Sequence, residues 1–123
     1  MSKKVLDYQG RVDGKGVKAS MTDPRKVPMW LVPGALSRGC ARGLGYGAKK
    51  YAPNNWRRGM KFSEVLSALE RHLHDLKDGE FFDQDSGLLH TDHMACNLGF
   101  LMEFLERPEF QQFNDLFKRG KTA

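Results

Sequence analysis

At 123 residues the chain has room for one modest hydrophobic core and not for two independent ones. Forty per cent of the residues are apolar and 28% charged, which places the chain with soluble globular domains. Its longest uninterrupted apolar run, Met29-Trp30-Leu31-Val32, falls far short of the ~20 residues that cross a bilayer, so a membrane protein is excluded.

The net charge of +5 is unevenly spread. Fourteen Lys and Arg residues precede position 62 against Asp7, Asp13 and Asp23, whereas twelve of the fifteen acidic residues lie from Glu64 onward. A basic front beside an acidic middle suits a polyanion held together with a divalent cation, although a basic front alone would suit nucleic acid. Lys3 and Lys4 lead into a mixed segment instead of an apolar h-region, so no signal peptide is read and the expected location is the cytoplasm. Cys40 and Cys96 lack CxxC spacing and fall in helical stretches, which predicts reduced core thiols.

Residues 1–28 carry Gly10, Gly14, Gly16, Pro24 and Pro28 and keep no helical or strand periodicity, which predicts an irregular N-terminal arm, flexible or ordered by a partner. Trp30, Leu31 and Val32 read as an anchor. A first helix is expected over about 33–47, with Leu36, Cys40, Leu44 and Ala48 recurring every four residues. Gly39, Gly43, Gly45 and Gly47 interrupt it at about 1 kcal/mol each relative to Ala, so another backbone or a ligand must approach closely there. Tyr51 to Gly59 reads as a loop by its Pro and Asn content. A second helix over 61–78 follows from Phe62, Val65, Leu66, Leu69, Leu73 and Leu76, with Gly79 as the stop. Residues 80–87 form an acidic connector. A third helix over 88–105 places Met94, Leu98, Leu101, Met102 and Leu105 on one face, and a short fourth over 109–117 carries Phe110, Phe113 and Phe117. No alternating strand is visible. The fold class is therefore all-α, a compact bundle of three to four helices over 29–119, followed by a basic tail at 120–123.

The four histidines, His72, His74, His90 and His93, crowd into the stretch that also holds Asp75, Asp78, Glu80, Asp83, Asp85 and Asp92. On the third helix His90, His93 and Asn97 stand at i, i+3 and i+7, hence on one face. On the second, His72 shares the packed side with Leu69 and Leu76, while His74 and Asp78 share an exposed stripe. Antiparallel packing would carry His72 and Asp75 to the level of His90 and His93. Oxygen ligands suit a hard cation, so Glu80, Asp83 and Asp92, with Glu64 or Asp75, are the expected holders of Mg²⁺ or Mn²⁺. Histidines suit a softer ion or proton transfer. Lys49, Lys50, Arg57, Arg58 and Arg71 supply the charge that phosphate needs; Asn54 or Asn55 would read polar edges, and Tyr51 or Trp56 would stack on a purine, unless Trp56 belongs to the core. Gly43 to Gly47 follows no strand and is a weak phosphate loop.

Gly47-Ala48-Lys49-Lys50-Tyr51, Asn55-Trp56, Gly59, Arg71-His72-Leu73, Gly79-Glu80, Asp83, Ser86-Gly87, His90, His93 and Asn97, in that order over about 33–105, resemble the dATP/dGTP diphosphohydrolase N-terminal domain family of phages and bacteria. The resemblance implies a helical domain that hydrolyses purine deoxynucleoside triphosphates to monophosphate and pyrophosphate. It also implies a divalent metal, host cytoplasm for a phage-encoded chain, and self-association as a dimer or tetramer. The reaction is similar to that of MazG-like all-α pyrophosphatases, but their paired acidic motifs are missing here and only Glu80-x-x-Asp83 keeps one such spacing.

The expected roles are then as follows. Glu80, Asp83 and Asp92 bind metal; Lys49, Lys50, Tyr51, Asn55, Trp56, Arg58 and Asn97 bind substrate; and Arg71, His72, His90 and His93 take part in the chemistry. The rival expectation is a non-catalytic binder of nucleotides or cyclic-nucleotide signals, a counter-defence sponge or regulator. Nucleic-acid binding through residues 1–26 ranks lowest, because aromatics are not interleaved with those lysines.

Overall fold

The computed structural model describes residues 23–118. Most of the expected arm and the basic tail at 120–123 lie outside the described residues. Those that are described fall into two units divided after Pro33. In the first, Asp23 accepts hydrogen bonds from the backbone and guanidinium of Arg25, and Met29–Leu31 form a 3-10 turn.

The second unit contains three α-helices, α1 (Gly34–Lys50), α2 (Phe62–Lys77) and α3 (His90–Glu106), with 3-10 turns at Asn55–Arg58 and Pro108–Phe113. The class is all-α; among the described residues the one extended feature is an isolated antiparallel bridge between Phe82 and Leu89 in the connector. The expected fourth helix is instead the 3-10 turn at Pro108–Phe113, after which the backbone is extended.

α3 is the central element. α1 and α2 both pack on it and scarcely on each other, and the 3-10 turn at Pro108–Phe113 packs on it as well. A helix covered on several sides has no single apolar stripe. This explains why the expected face fails: Leu98, Met102 and Leu105 are exposed, and the buried residues are His90, Asp92, Cys96, Leu101 and Phe104.

Phe62, Val65, Leu101 and Phe104 form the centre of the core between α2 and α3, surrounded by Trp56, Met60, Leu66, Leu69, Phe100, Phe110 and Phe113. Phe62 and Phe104 stack at 5.8 Å, and Trp56 and Phe100 at 5.1 Å. Burying one such ring contributes about 2–3 kcal/mol. Lys61 gives α2 no side-chain cap; Asp115 does so from the C-terminal segment, its Oδ1 accepting the Ser63 N–H at 3.0 Å.

On α1 the buried side is glycine, not the expected Leu36–Leu44 stripe, both of which are exposed. A Cβ on Gly43 would run into Cys96 Sγ and lie 3.2 Å from the Asp92 carbonyl, and one on Gly39 would stand 2.8 Å from Asp92 Oδ1. Gly39 and Gly43 therefore let α1 approach α3 closely enough for the Cys96 thiol to donate to the Cys40 carbonyl at 3.0 Å. Both thiols are free, as expected, and burial pushes that of Cys96 up to about 12.

Candidate active site

Because α1 and α2 both lean on α3 and hardly touch, a cleft of about 840 Å³ remains between them. The second half of α1 forms one wall, and Ala68, Arg71, His72 and Asp75 of α2 form the other. His93, Cys96, Asn97 and Phe100 of α3 make the floor, and the rim is the loop from Tyr51 to Arg57 together with Asp83 and Asp85 of the connector. Gly45 and Gly47 line this cleft, and a Cβ on either would meet nothing within 4 Å, so within α1 Gly39 and Gly43 pack while Gly45 and Gly47 open space.

The connector delivers the acidic groups. Gly79, with φ +90°, ends α2: the Gly79 N–H bonds to Leu76 and the Glu80 N–H to Asp75, turning the chain back. The Asp83 N–H donates to Leu88 and the His90 N–H to Phe81, which seats the first turn of α3 beside the last turn of α2. The imidazoles consequently meet. His72 Nδ1 and His90 Nδ1 are 2.8 Å apart, and the His72 and His93 rings stack at 4.6 Å within 7° of parallel.

His90 is fully buried, and its Nε2 lies 3.2 Å from Glu80 Oε1 and 3.9 Å from Asp75 Oδ2. His93 Nε2 is 2.6 Å from Ser86 Oγ and 3.7 Å from Asp83 Oδ2. Burial lowers the pKa of His72, and the neighbouring His93 adds to this, so its ring favours the neutral form. Asp83 is partly desolvated, which opposes ionisation. Hydrogen bonds from the Ser86 side chain and backbone, with the charges of His93 and His72, outweigh that and hold its carboxyl below the usual range.

Lys50, Tyr51, Asn55, Trp56, Arg71, His72, Asp83, His93 and Asn97 all line the cleft. His90 supports it from beneath, and Glu80 stands against the far side of the His90 ring. Three expected residues sit elsewhere. Lys49 is exposed outside the lining. Arg58 turns to a separate hollow of about 380 Å³ with Trp56, Arg57, Arg107 and Phe113. Asp92 is buried with its oxygens held by the Arg42 guanidinium at 2.9 and 3.0 Å, and it does not join the side chains whose ligand atoms converge.

Trp56 serves the core as well as the cleft: Phe100 stacks on it, and the Arg57 guanidinium lies 4.4 Å from its ring centre. Tyr51, 64% exposed, lines the cleft with the Lys50 ammonium 5.3 Å from its ring centre. Asn54 is used by the turn, adopting φ 63° and accepting from Arg57 Nε at 2.9 Å. Tyr46, edge-on to His93 at 5.8 Å, and Asp85 were missed by sequence reasoning. Tyr46 had a signal, as the one bulky side chain between Gly45 and Gly47 and one helical turn before Lys50.

Among the described residues, two groups of three side chains bring ligand atoms within 4.8 Å of one another: His72, Asp83 and His90, and Asp75, Glu80 and His90. The site thus combines a cationic, aromatic rim with an imidazole–carboxylate wall around one opening.

Comparisons with known proteins agree with this composition. The family described as dATP/dGTP diphosphohydrolase, N-terminal, matches residues 17–114. A dATP/dGTP diphosphohydrolase of Salmonella phage PMBT28 is 34% identical over 83 residues, covering 68% of this chain; the chain spans 28% of that relative's length. No solved structure matches. With the greater part of its length matched, the chain belongs to the dATP/dGTP diphosphohydrolase N-terminal family.

Proposed function

We propose that the chain hydrolyses dATP and dGTP to the monophosphate and pyrophosphate, as part of phage nucleotide metabolism, with a divalent metal ion. The observation that carries this reading is the cleft in which Lys50, Arg57 and Arg71 face His72, His93, Asp75 and Asp83. Its volume is of the size that encloses a small ligand.

Lys50 and Arg71 would hold the phosphate chain, Arg71 by paired N–H donors, while Tyr51 stacks on the purine and Asn55 meets its polar edge. Water attacks the α-phosphorus, the bond from that phosphorus to the bridging oxygen breaks, and pyrophosphate leaves. His93 would take the water's proton at Nε2 once water replaces Ser86 Oγ at that nitrogen, and the ionised Asp83 beside it would stabilise the imidazolium. The imidazole–carboxylate groups fit a divalent cation, with Glu80 and Asp83 present in them and Asp92 not. When bound, such an ion neutralises phosphate charge and lowers the pKa of water.

Phosphate release from each deoxynucleoside triphosphate, measured with added inorganic pyrophosphatase and Mg²⁺ or Mn²⁺, tests the proposal. Turnover of dATP and dGTP supports it, and none at micromolar enzyme overturns it.

A second reading is binding without hydrolysis. It is supported by the rim of Lys50, Tyr51 and Arg57, whose charge and ring would hold a nucleotide without the imidazole–carboxylate wall. Calorimetry with recovery of intact nucleotide separates the two.

A further inference from the structure

A neutral imidazole carries one N–H and one lone pair, and its surroundings choose which nitrogen has which. At His90 the choice is settled by carboxylates, because Nε2 faces Glu80 Oε1 at 3.2 Å and Asp75 Oδ2 at 3.9 Å, both acceptors. The proton therefore sits on Nε2 and the lone pair on Nδ1, on a ring with no exposure to solvent. That lone pair looks at His72 Nδ1, 2.8 Å away. Asp83 completes the group, one of its oxygens fixed by the Ser86 N–H at 2.9 Å.

We infer that His72 Nδ1, His90 Nδ1 and an Asp83 carboxylate oxygen form a binding site for one first-row transition-metal ion, with Glu80 as the positioning residue that orients His90. Two imidazole nitrogens and one carboxylate oxygen suit Mn²⁺, Fe²⁺, Co²⁺ or Zn²⁺, whereas Mg²⁺ favours oxygen alone. Metal–nitrogen bonds of about 2.0–2.1 Å separate two ligating nitrogens by about 2.9 Å at right angles and about 3.4 Å in a tetrahedral site, so the rings would move apart by at most about half an ångström. With the His90 lone pair on Nδ1, the neutral His72 donates its Nδ1–H to it; to bind the ion His72 gives up that proton and takes one at Nε2, which frees its own Nδ1 lone pair. A carboxylate holding the far nitrogen of a ligating histidine is the usual arrangement around such ions. His72 and Asp83 line the cleft, so the remaining coordination positions open toward it. This moves Glu80 from ligand to support and brings in His72 and His90, which the sequence leaves open between a softer ion and proton transfer.

Metal binding is measured here without nucleotide, so its failure is distinguishable from a failure of hydrolysis. The full chain, stripped with a chelator and dialysed, is titrated with Co²⁺ and followed by its visible d–d absorption, with circular dichroism as the check on folding. One equivalent should bind with bands of a nitrogen-containing site, unmoved by a large excess of Mg²⁺. His72→Gln should abolish the bands while the helical spectrum is retained. Glu80→Gln should keep one equivalent and lose about 10- to 100-fold in affinity. A folded wild-type chain that binds no Co²⁺, or a His72→Gln protein that binds it as wild type does, overturns the inference. Because His90 is fully buried and its replacement endangers folding, Asp83→Asn is the second variant, and undiminished binding there counts against the site as well.

Discussion

The Arg42 guanidinium grips both oxygens of Asp92, Nε to Oδ2 at 3.0 Å and Nη2 to Oδ1 at 2.9 Å, tying the middle of α1 to the first turn of α3. Asp92 is buried, while almost half of the Arg42 side chain is exposed. Breaking the pair leaves a charged carboxylate without its partner, but water can reach Arg42, so the loss falls below that of a fully buried pair.

Asp92→Asn should lower unfolding free energy by about 2 kcal/mol in denaturant titrations, and Arg42→Met should change it in the same direction. Arg42 holds the Asp92 carboxyl below its ordinary range. The stability this supplies is complete above the usual carboxylate pKa and is lost as pH falls through the depressed folded value. Acid titration of wild type against Asp92→Asn should therefore converge at low pH. Asp92→Asn should also bind metal as wild type does.

Gly43→Ala and Gly47→Ala should have opposite signs. The first places a methyl group against Cys96 Sγ and the Asp92 carbonyl, and should cost about 1–3 kcal/mol in thermal or chemical unfolding. The second places it in open space and should gain up to about 1 kcal/mol from helix propensity.

Cys96 should resist iodoacetamide in the folded protein at pH 8. Burial and the neighbouring Cys40 raise its thiol to about 12, leaving almost no thiolate. Mass spectrometry should find Cys96 alkylated only after denaturation; rapid labelling of Cys96 in the native chain would contradict the packed α1–α3 contact.

Arg71→Ala should weaken dATP and dGTP binding about tenfold or more with no change in unfolding, since among the described residues Arg71 makes no ion pair and its side chain lines the cleft. Arg58→Ala, on the other hollow, should leave nucleotide affinity unchanged.

Much of this was legible in the sequence where local rules apply. The rhythm of Phe62, Val65 and Leu69 marks α2, Gly79 marks its end, and the crowding of His72, His90 and His93 marks the wall they build. What could not be read depends on through-space partners. Nothing local separates Asp92 from Asp83, because the guanidinium that claims Asp92 is fifty residues away. Arg57 and Arg58 are adjacent, yet the turn that holds them brings Arg57 to both hollows and Arg58 to the smaller one alone. Leu98 and Met102 look like core by spacing, yet the central position of α3 sends its buried face through Cys96, Leu101 and Phe104.

The most direct test is to incubate the purified chain with dGTP and a divalent metal and separate the products by ion-exchange chromatography. The account predicts dGMP and pyrophosphate in equal amounts, with the rate falling at least tenfold in His93→Gln while the protein stays folded. Unchanged dGTP after prolonged incubation, or a His93→Gln protein as active as wild type, would contradict it.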